Sequence, residues 1–118
     1  MRSHALGIQG EDLAVTYLLS QGYKILERNW RFAKAEVDII AAKEDVLAAV
    51  EVKTRSTDAF GAPQEFIGRK KIRLLRQAMN ASVNLKGLDL EVRFDFIGIV
   101  IENGNESITH LKDACFIF

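Results

Sequence analysis

Ala35-Glu36-Val37-Asp38-Ile39-Ile40-Ala41 and Leu47-Ala48-Ala49-Val50-Glu51-Val52-Lys53-Thr54 stand on either side of the polar stretch Ala42-Lys43-Glu44-Asp45. Both runs are short and rich in β-branched residues, and the connection has hairpin length, which predicts two neighbouring antiparallel strands. Side chains alternate between the faces of a strand. Glu36, Asp38 and Ile40 are therefore expected on one face of the first strand, and Glu51 with Lys53 on one face of the second. A loop of roughly four residues brings Asp38 opposite, or nearly opposite, Glu51 on the same side of the sheet. The apolar flanks Val37, Ile39, Ile40 and Leu47 to Val50 predict central strands rather than exposed edges.

Upstream, Gly7 to Gln21 follows a helical pattern that Gly22 ends in the manner of a left-handed cap. At 100° per residue, Asp12, Thr16 and Ser20 form one face and Ala14, Val15, Tyr17, Leu18 and Leu19 spread around the other. Glu11 falls within the apolar arc, where a carboxylate needs a partner or a metal. Tyr23 to Trp30 reads as a further strand. Downstream, beyond a turn at Gly61-Ala62-Pro63, a second helix is expected over Gly68 to Val83, then a buried strand from Arg93 to Ile101 and a last short strand from Ala114 to Phe118. The expected order is α-β-β-β-α-β-(β), a mixed α/β sheet of about five strands flanked by helices.

The chain's 118 residues have the size of one domain, 1–118, and are 48% hydrophobic, with no low-complexity tract. The longest apolar runs are strand-length and the N-terminus shows no signal-peptide pattern, so no membrane span and a cytoplasmic location are expected. The single cysteine, Cys115, reads as a buried free thiol. His4 and His110 lack zinc-ligand spacing to each other or to Cys115. Formal net charge is zero, yet the stretch from Lys53 to Arg76 carries a net +5. A locally basic region beside an acidic cluster suits a site that touches phosphates and holds cations.

If Asp38, Glu51 and Lys53 converge, each has a chemical task. Two carboxylates on neighbouring strands offer the hard oxygen ligands that Mg²⁺ or Mn²⁺ takes, with positions left for water and a phosphate oxygen. Lys53, two residues beyond Glu51, points its ammonium into the same site, to orient water or offset developing charge. The competing interpretation of Glu-Val-Lys is a solvent-facing ion pair, which occurs freely on strands. The apolar flanks, the acid at Glu11 and the basic stripe of Arg69, Arg73 and Arg76 weigh against it.

The blocks Gly10-Glu11-Asp12-Leu13-Ala14, Tyr17-Leu18, Gly22 to Arg31, Glu36 to Ala41, Val50 to Arg55, Phe60 to Pro63, Arg93-Phe94-Asp95 and Ile108 to Ala114 resemble, in order and over nearly the whole chain, the bacterial YraN-like family. Its strand pattern and acid–lysine motif are similar to those of the PD-(D/E)XK, restriction-endonuclease-like nucleases, most closely the archaeal Holliday junction resolvases. The resemblance implies a restriction-endonuclease-like fold with catalytic Glu11, Asp38, Glu51 and Lys53. It also implies metal ligation by Asp38, Glu51 and the Val52 carbonyl, with Glu11 acting directly or through water. One departure is Ala35, which stands where the family usually has glycine.

Arg55, Arg69, Lys70 and Arg73 are the candidate nucleic-acid contacts, against a solvated helix face as the alternative. Glu36 divides between a site role and a salt bridge to a nearby arginine. Asp95, between Phe94 and Phe96, is expected to be a buried acid bonded to backbone or an arginine, with a supporting role at the metal. Trp30 is assigned to the core. The expected function is a Mg²⁺- or Mn²⁺-dependent endonuclease acting on DNA, branched or structured, as a homodimer; the alternative is a nucleic-acid-binding or adaptor domain that keeps the fold without activity.

Overall fold

A computed structural model describes residues 2–32, 35–56, 77, 79–80 and 90–113. Helix α1 spans Arg2–Ser20, and the strands are β1 Lys24–Phe32, β2 Ala35–Lys43, β3 Val46–Arg55, β4 Glu91–Glu102 and β5 Asn105–Leu111. The sheet runs in the order β1-β2-β3-β4-β5, antiparallel throughout except for the parallel pair β3 and β4. This is a mixed α/β arrangement with five strands and, among the described residues, one full helix.

Burial explains the strand order. β4 is enclosed on both faces: Phe94 and Phe96 pack with Val37, Ile40, Leu47, Ala49 and Met79, whereas Ile97 and Ile99 pack with Ala14, Leu18, Ile39, Ala48 and Val50. A strand covered on both sides reads as a continuous apolar run, as Phe94 to Val100 does apart from Asp95 and Gly98. The outer strands carry Lys24, Glu27, Arg28 and Arg31 on β1 and Asn105, Glu106 and Ser107 on β5, polar residues that discourage further pairing at a sheet edge. A parallel pair needs a long crossover. Residues 56–90 supply it; of these Gln77, Met79 and Asn80 are helical, and buried Met79 packs on the sheet face opposite α1.

Helix α1 lies close to the sheet because its contact line is small. Ala14 and Leu18 are fully buried above Ala41 and Ala48, and at Gly10 the approach is closer still. A Cβ built on Gly10 would stand 2.8 Å from both Cβ and Cγ2 of Thr54 and would overlap its hydroxyl. The helix ends in a Schellman turn: Gly22, at φ +91°, donates to the Leu19 carbonyl at 3.1 Å and Tyr23 to that of Leu18 at 3.0 Å.

Several expectations shift. The helix begins at Arg2 rather than Gly7. The last described strand is Asn105–Leu111, joined to β4 by Asn103-Gly104, both at positive φ (+53° and +78°) as a type I′ hairpin turn requires. That Asn-Gly pair was the available signal for the hairpin. The strand expected over Ala114 to Phe118, with Cys115, lies outside the described residues, as do the Gly61-Ala62-Pro63 turn and all but three residues of the helix expected over Gly68 to Val83. No helix among the described residues is long and apolar enough to cross a membrane.

Candidate functional site

The pairing of β2 with β3 runs from Lys43 opposite Val46 to Ile39 opposite Val50 and stops one residue short of Asp38 and Glu51. There the Asp38 side chain takes over: its Oδ2 accepts a hydrogen bond from the Val52 main-chain N–H at 2.8 Å. On the other side, β1 and β2 pair at Arg28–Ile39 and at Trp30–Val37, and the intervening residues Asn29 and Asp38 form no pair. Asn29 is left-handed, at φ +56°.

The consequence is a change of face. Val37 and Ile39, two apart, should point the same way, yet they belong to opposite core clusters, and ordinary alternation holds only from Ile39 to Ile40 and Ala41. Trp30 packs with Val37, as its assignment to the core requires, whereas Arg28 reaches toward α1. Simple alternation across Glu36, Asp38 and Ile40 therefore fails. Ile40 joins the cluster around Met79, Asp38 opens on the side of Glu11, and Glu36 pairs with Arg31 at 3.4 Å, outside the cavity lining.

Asp38, Glu11, Arg28, Val52, Lys53 and Arg55 line one cavity of about 470 Å³ between the first half of α1, the middle of β1 and β2 and the last residues of β3. Glu51 is not among the lining residues, but its Oε1 is 4.0 Å from the Lys53 ammonium, which is. The Glu51 and Glu11 side chains are 16% and 17% exposed, against 32% for Lys53, so the acids sit deeper than the base. The partner that Glu11 needs is Arg28, whose Nε donates to Glu11 Oε1 at 3.1 Å while Nη2 donates to Asp12 Oδ1 at 2.8 Å. The hydrogen bond to Asp12 raises the Arg28 pKa above its ordinary value; burial opposes this and the bond to Glu11 reinforces it. Arg28 is thus a permanent cation. Sequence reasoning missed it, because Arg28 reaches the α1 side by pairing with Ile39 beyond a register shift between Ile25 and Glu27, which simple alternation does not reveal.

Of the expected contacts to nucleic acid, Arg55 is at the cavity, whereas Arg69, Lys70 and Arg73 lie outside the described residues. The donor set of carboxylates and a main-chain carbonyl is all oxygen, which suits Mg²⁺ or Mn²⁺. Among the described residues no three or more His, Cys, Asp or Glu side chains group in a way that would hold a metal ion. A fit therefore rests on one or two carboxylates with the Val52 carbonyl and water completing the shell, the usual manner of Mg²⁺.

Asp95 belongs elsewhere. It is 1% exposed and accepts from Arg93 Nε at 2.8 Å, from Arg93 Nη2 at 2.9 Å and from the Asp113 N–H at 3.0 Å, and its Oδ2 is 2.8 Å from His110 Nε2. His110 Nδ1 is in turn 2.9 Å from the Tyr17 hydroxyl, and Arg93 donates to Tyr23 Oη at 2.6 Å. Burial pushes the Asp95 carboxyl up, but the hydrogen bonds from His110, Arg93 and Asp113 outweigh it and hold the carboxyl below its ordinary value. Burial raises the Tyr17 phenol, with help from Tyr23 and Asp95. The network ties α1 and the start of β1 to β4 and β5, and none of these residues lines the cavity. Arg93 and Asp95 were readable as a same-face pair two apart; Tyr17 and His110, 93 residues apart, were not.

Fold and site define the class: an α/β protein that has, among the described residues, a mixed five-stranded sheet, one full helix against it and a polar cavity where β2 and β3 part. The model of the family described as "Uncharacterised protein family UPF0102" matches residues 10–99, and the chain belongs to that family. It is 52% identical over 113 residues to "UPF0102 protein FP2501" of Flavobacterium psychrophilum, covering 96% of this chain and 95% of that one. It is 47% identical over 111 residues to a "UPF0102 protein" of Bacteroides thetaiotaomicron (94% and 92% covered) and 41% over 112 residues to one of Syntrophomonas wolfei (92% and 96%). The matched segment contains every residue of the cavity discussed above from Glu11 to Arg55.

Proposed function

We propose that this protein is a metal-dependent nuclease of the restriction-endonuclease-like type that hydrolyses phosphodiester bonds in DNA with Mg²⁺ or Mn²⁺. One observation carries the reading: Asp38, Val52, Lys53 and Glu11, from three separate elements, line a single cavity at the point where the β2–β3 ladder ends. Asp38 and Glu51, with the Val52 carbonyl, are the residues that would hold the cation, and Glu11 would act on it directly or through water. When bound, the cation supplies Lewis-acid stabilisation of negative charge on the phosphate and a more acidic water.

The chain's own groups have separable tasks. The Val52 N–H fixes the orientation of the Asp38 carboxylate. Lys53, held 4.0 Å from Glu51, presents a positive charge to the developing phosphorane oxygens. Arg55 contacts a neighbouring phosphate and so fixes register. Branched or structured DNA is the proposed substrate class, and a two-fold dimer would place two sites on a two-fold junction. Two observations favour the rival, a binding module without activity: Glu11 is paired with Arg28, and no three-acid cluster stands among the described residues.

The test is Mn²⁺-dependent cleavage of junction, flap, duplex and single-stranded DNA by wild type, Asp38→Asn, Glu51→Gln and Lys53→Ala. Cleavage by wild type that each substitution lowers by about 10²-fold or more is the expected result. Cleavage that survives all three substitutions defeats the assignment. Tight DNA binding with no cleavage in any metal selects the binding module.

A further inference from the structure

Arg28 is placed strangely for a site that attracts cations. Its guanidinium lines the cavity, always protonated, against the very carboxylate that a cation at the cavity would use. Two carboxylates hold it, and they are unequal in place: Glu11 is 17% exposed and faces the cavity, whereas Asp12 is 61% exposed and does not line it. Nε and Nη2 are occupied, and the two N–H groups of Nη1 have no hydrogen-bond partner among the described residues. Arg28 pairs with Ile39, on the α1 side of the sheet, just beyond the register shift between Ile25 and Glu27.

Resting on the nuclease reading, we infer that Arg28 is a displaceable counter-ion of Glu11: a divalent cation takes the carboxylate from Arg28, and the released guanidinium, still tethered by Asp12, becomes a ligand for a phosphate of the bound nucleic acid. The electrostatics run in one direction. Before a cation binds, Arg28 offsets a half-buried carboxylate that would otherwise be uncompensated. Once a divalent cation arrives, Arg28 and the cation repel at short range, and the Nε–Glu11 bond gives way. The Asp12 bond is outside the cavity and keeps the guanidinium at the rim. The end-on N–H groups of Nη1 and Nη2 form a planar fork that matches two oxygens of a phosphate, and the freed Nε–H adds a further donor, which a lysine ammonium cannot do in the same way. Cation binding and substrate binding are thereby coupled through one side chain.

The experiment measures Mn²⁺ binding by titration calorimetry on the full chain, and separately the affinity for a fluorescent 20-nucleotide single strand with and without Mn²⁺, for wild type, Arg28→Gln and Arg28→Lys. Circular dichroism and thermal melts confirm that each variant is folded. Removing the competing charge should tighten Mn²⁺ binding by Arg28→Gln about fivefold, the size expected for one partly exposed ion pair. The same variant should lose the Mn²⁺-dependent gain in oligonucleotide affinity. Arg28→Lys should hold Mn²⁺ as wild type does, because it keeps the charge, and recover only part of the oligonucleotide gain. Mn²⁺ affinity that is unchanged or weaker in folded Arg28→Gln overturns the inference. A wild type that cleaves, with Arg28→Gln identical in both titrations, overturns it and leaves the nuclease reading standing. A wild type that neither binds Mn²⁺ nor cleaves overturns both.

Discussion

Replacing Gly10 with alanine should push α1 away from the sheet. The new Cβ would stand 2.8 Å from two carbons of Thr54 and collide with its hydroxyl, whereas carbon atoms pack at about 3.5–4.0 Å. Relief requires α1 and β3 to part by roughly 1 Å, or Thr54, stiff at χ1, to leave its rotamer. Overpacking of this kind costs about 1–3 kcal/mol. Alanine returns about 1 kcal/mol through helix propensity. The net expectation is a loss of about 0–2 kcal/mol in urea unfolding with an unchanged m-value. Thr54→Ala removes the hydroxyl and Cγ2 and should recover part of the loss, giving a coupling near 1 kcal/mol in a double-mutant cycle. Because Glu11 is the next residue, the same shift carries it relative to Asp38, and any cleavage should fall more steeply than stability does. A Gly10→Ala protein as stable as wild type, with an additive cycle, would refute the close packing of α1 on β3.

Two further outcomes follow from the hydrogen bonds. Since the folded Asp95 carboxyl lies below its unfolded value, its stabilisation is complete above the ordinary carboxyl range, near pH 4, and disappears as pH falls through the folded value. Asp95→Asn, which strands Arg93 and His110, should cost about 3–5 kcal/mol at neutral pH and flatten the acid limb of the urea midpoint against pH; a retained acid limb would assign it to other carboxyls. Asp38→Ala should lose about 1–3 kcal/mol by orphaning the Val52 N–H, whereas Asp38→Asn keeps an acceptor and should stay within about 1 kcal/mol of wild type. Equal thermal midpoints for the two variants would mean that the Asp38–Val52 bond contributes nothing.

Local chemistry made much of the architecture legible. The apolar periodicity of Ala14 and Leu18, the cap at Gly22, the two strand runs (joined by Glu44-Asp45 rather than by the four residues expected) and the doubly buried stretch of β4 follow from burying apolar faces with the backbone paired, which neighbouring residues alone dictate. The same local patterning placed Glu51 beside Lys53 and gave Glu11 a need for a partner. Strict alternation could not carry across Asp38, because a single left-handed residue on the neighbouring strand, Asn29, reverses the faces there.

Asp38, Glu51 and Lys53 were readable as a set by residue type and spacing, Glu11 as an acid on an apolar helix face, and Val52 only through the family resemblance; which of them line one cavity was not. That depended on the ladder between β2 and β3 ending at Val50, on Gly10 letting α1 descend onto Thr54, and on Arg28 reaching Glu11 from β1. Each of these is an encounter between segments whose separation in the chain gives no local energetic signature. Only tertiary packing, where one missing Cβ or one unpaired N–H sets the spacing, decided them.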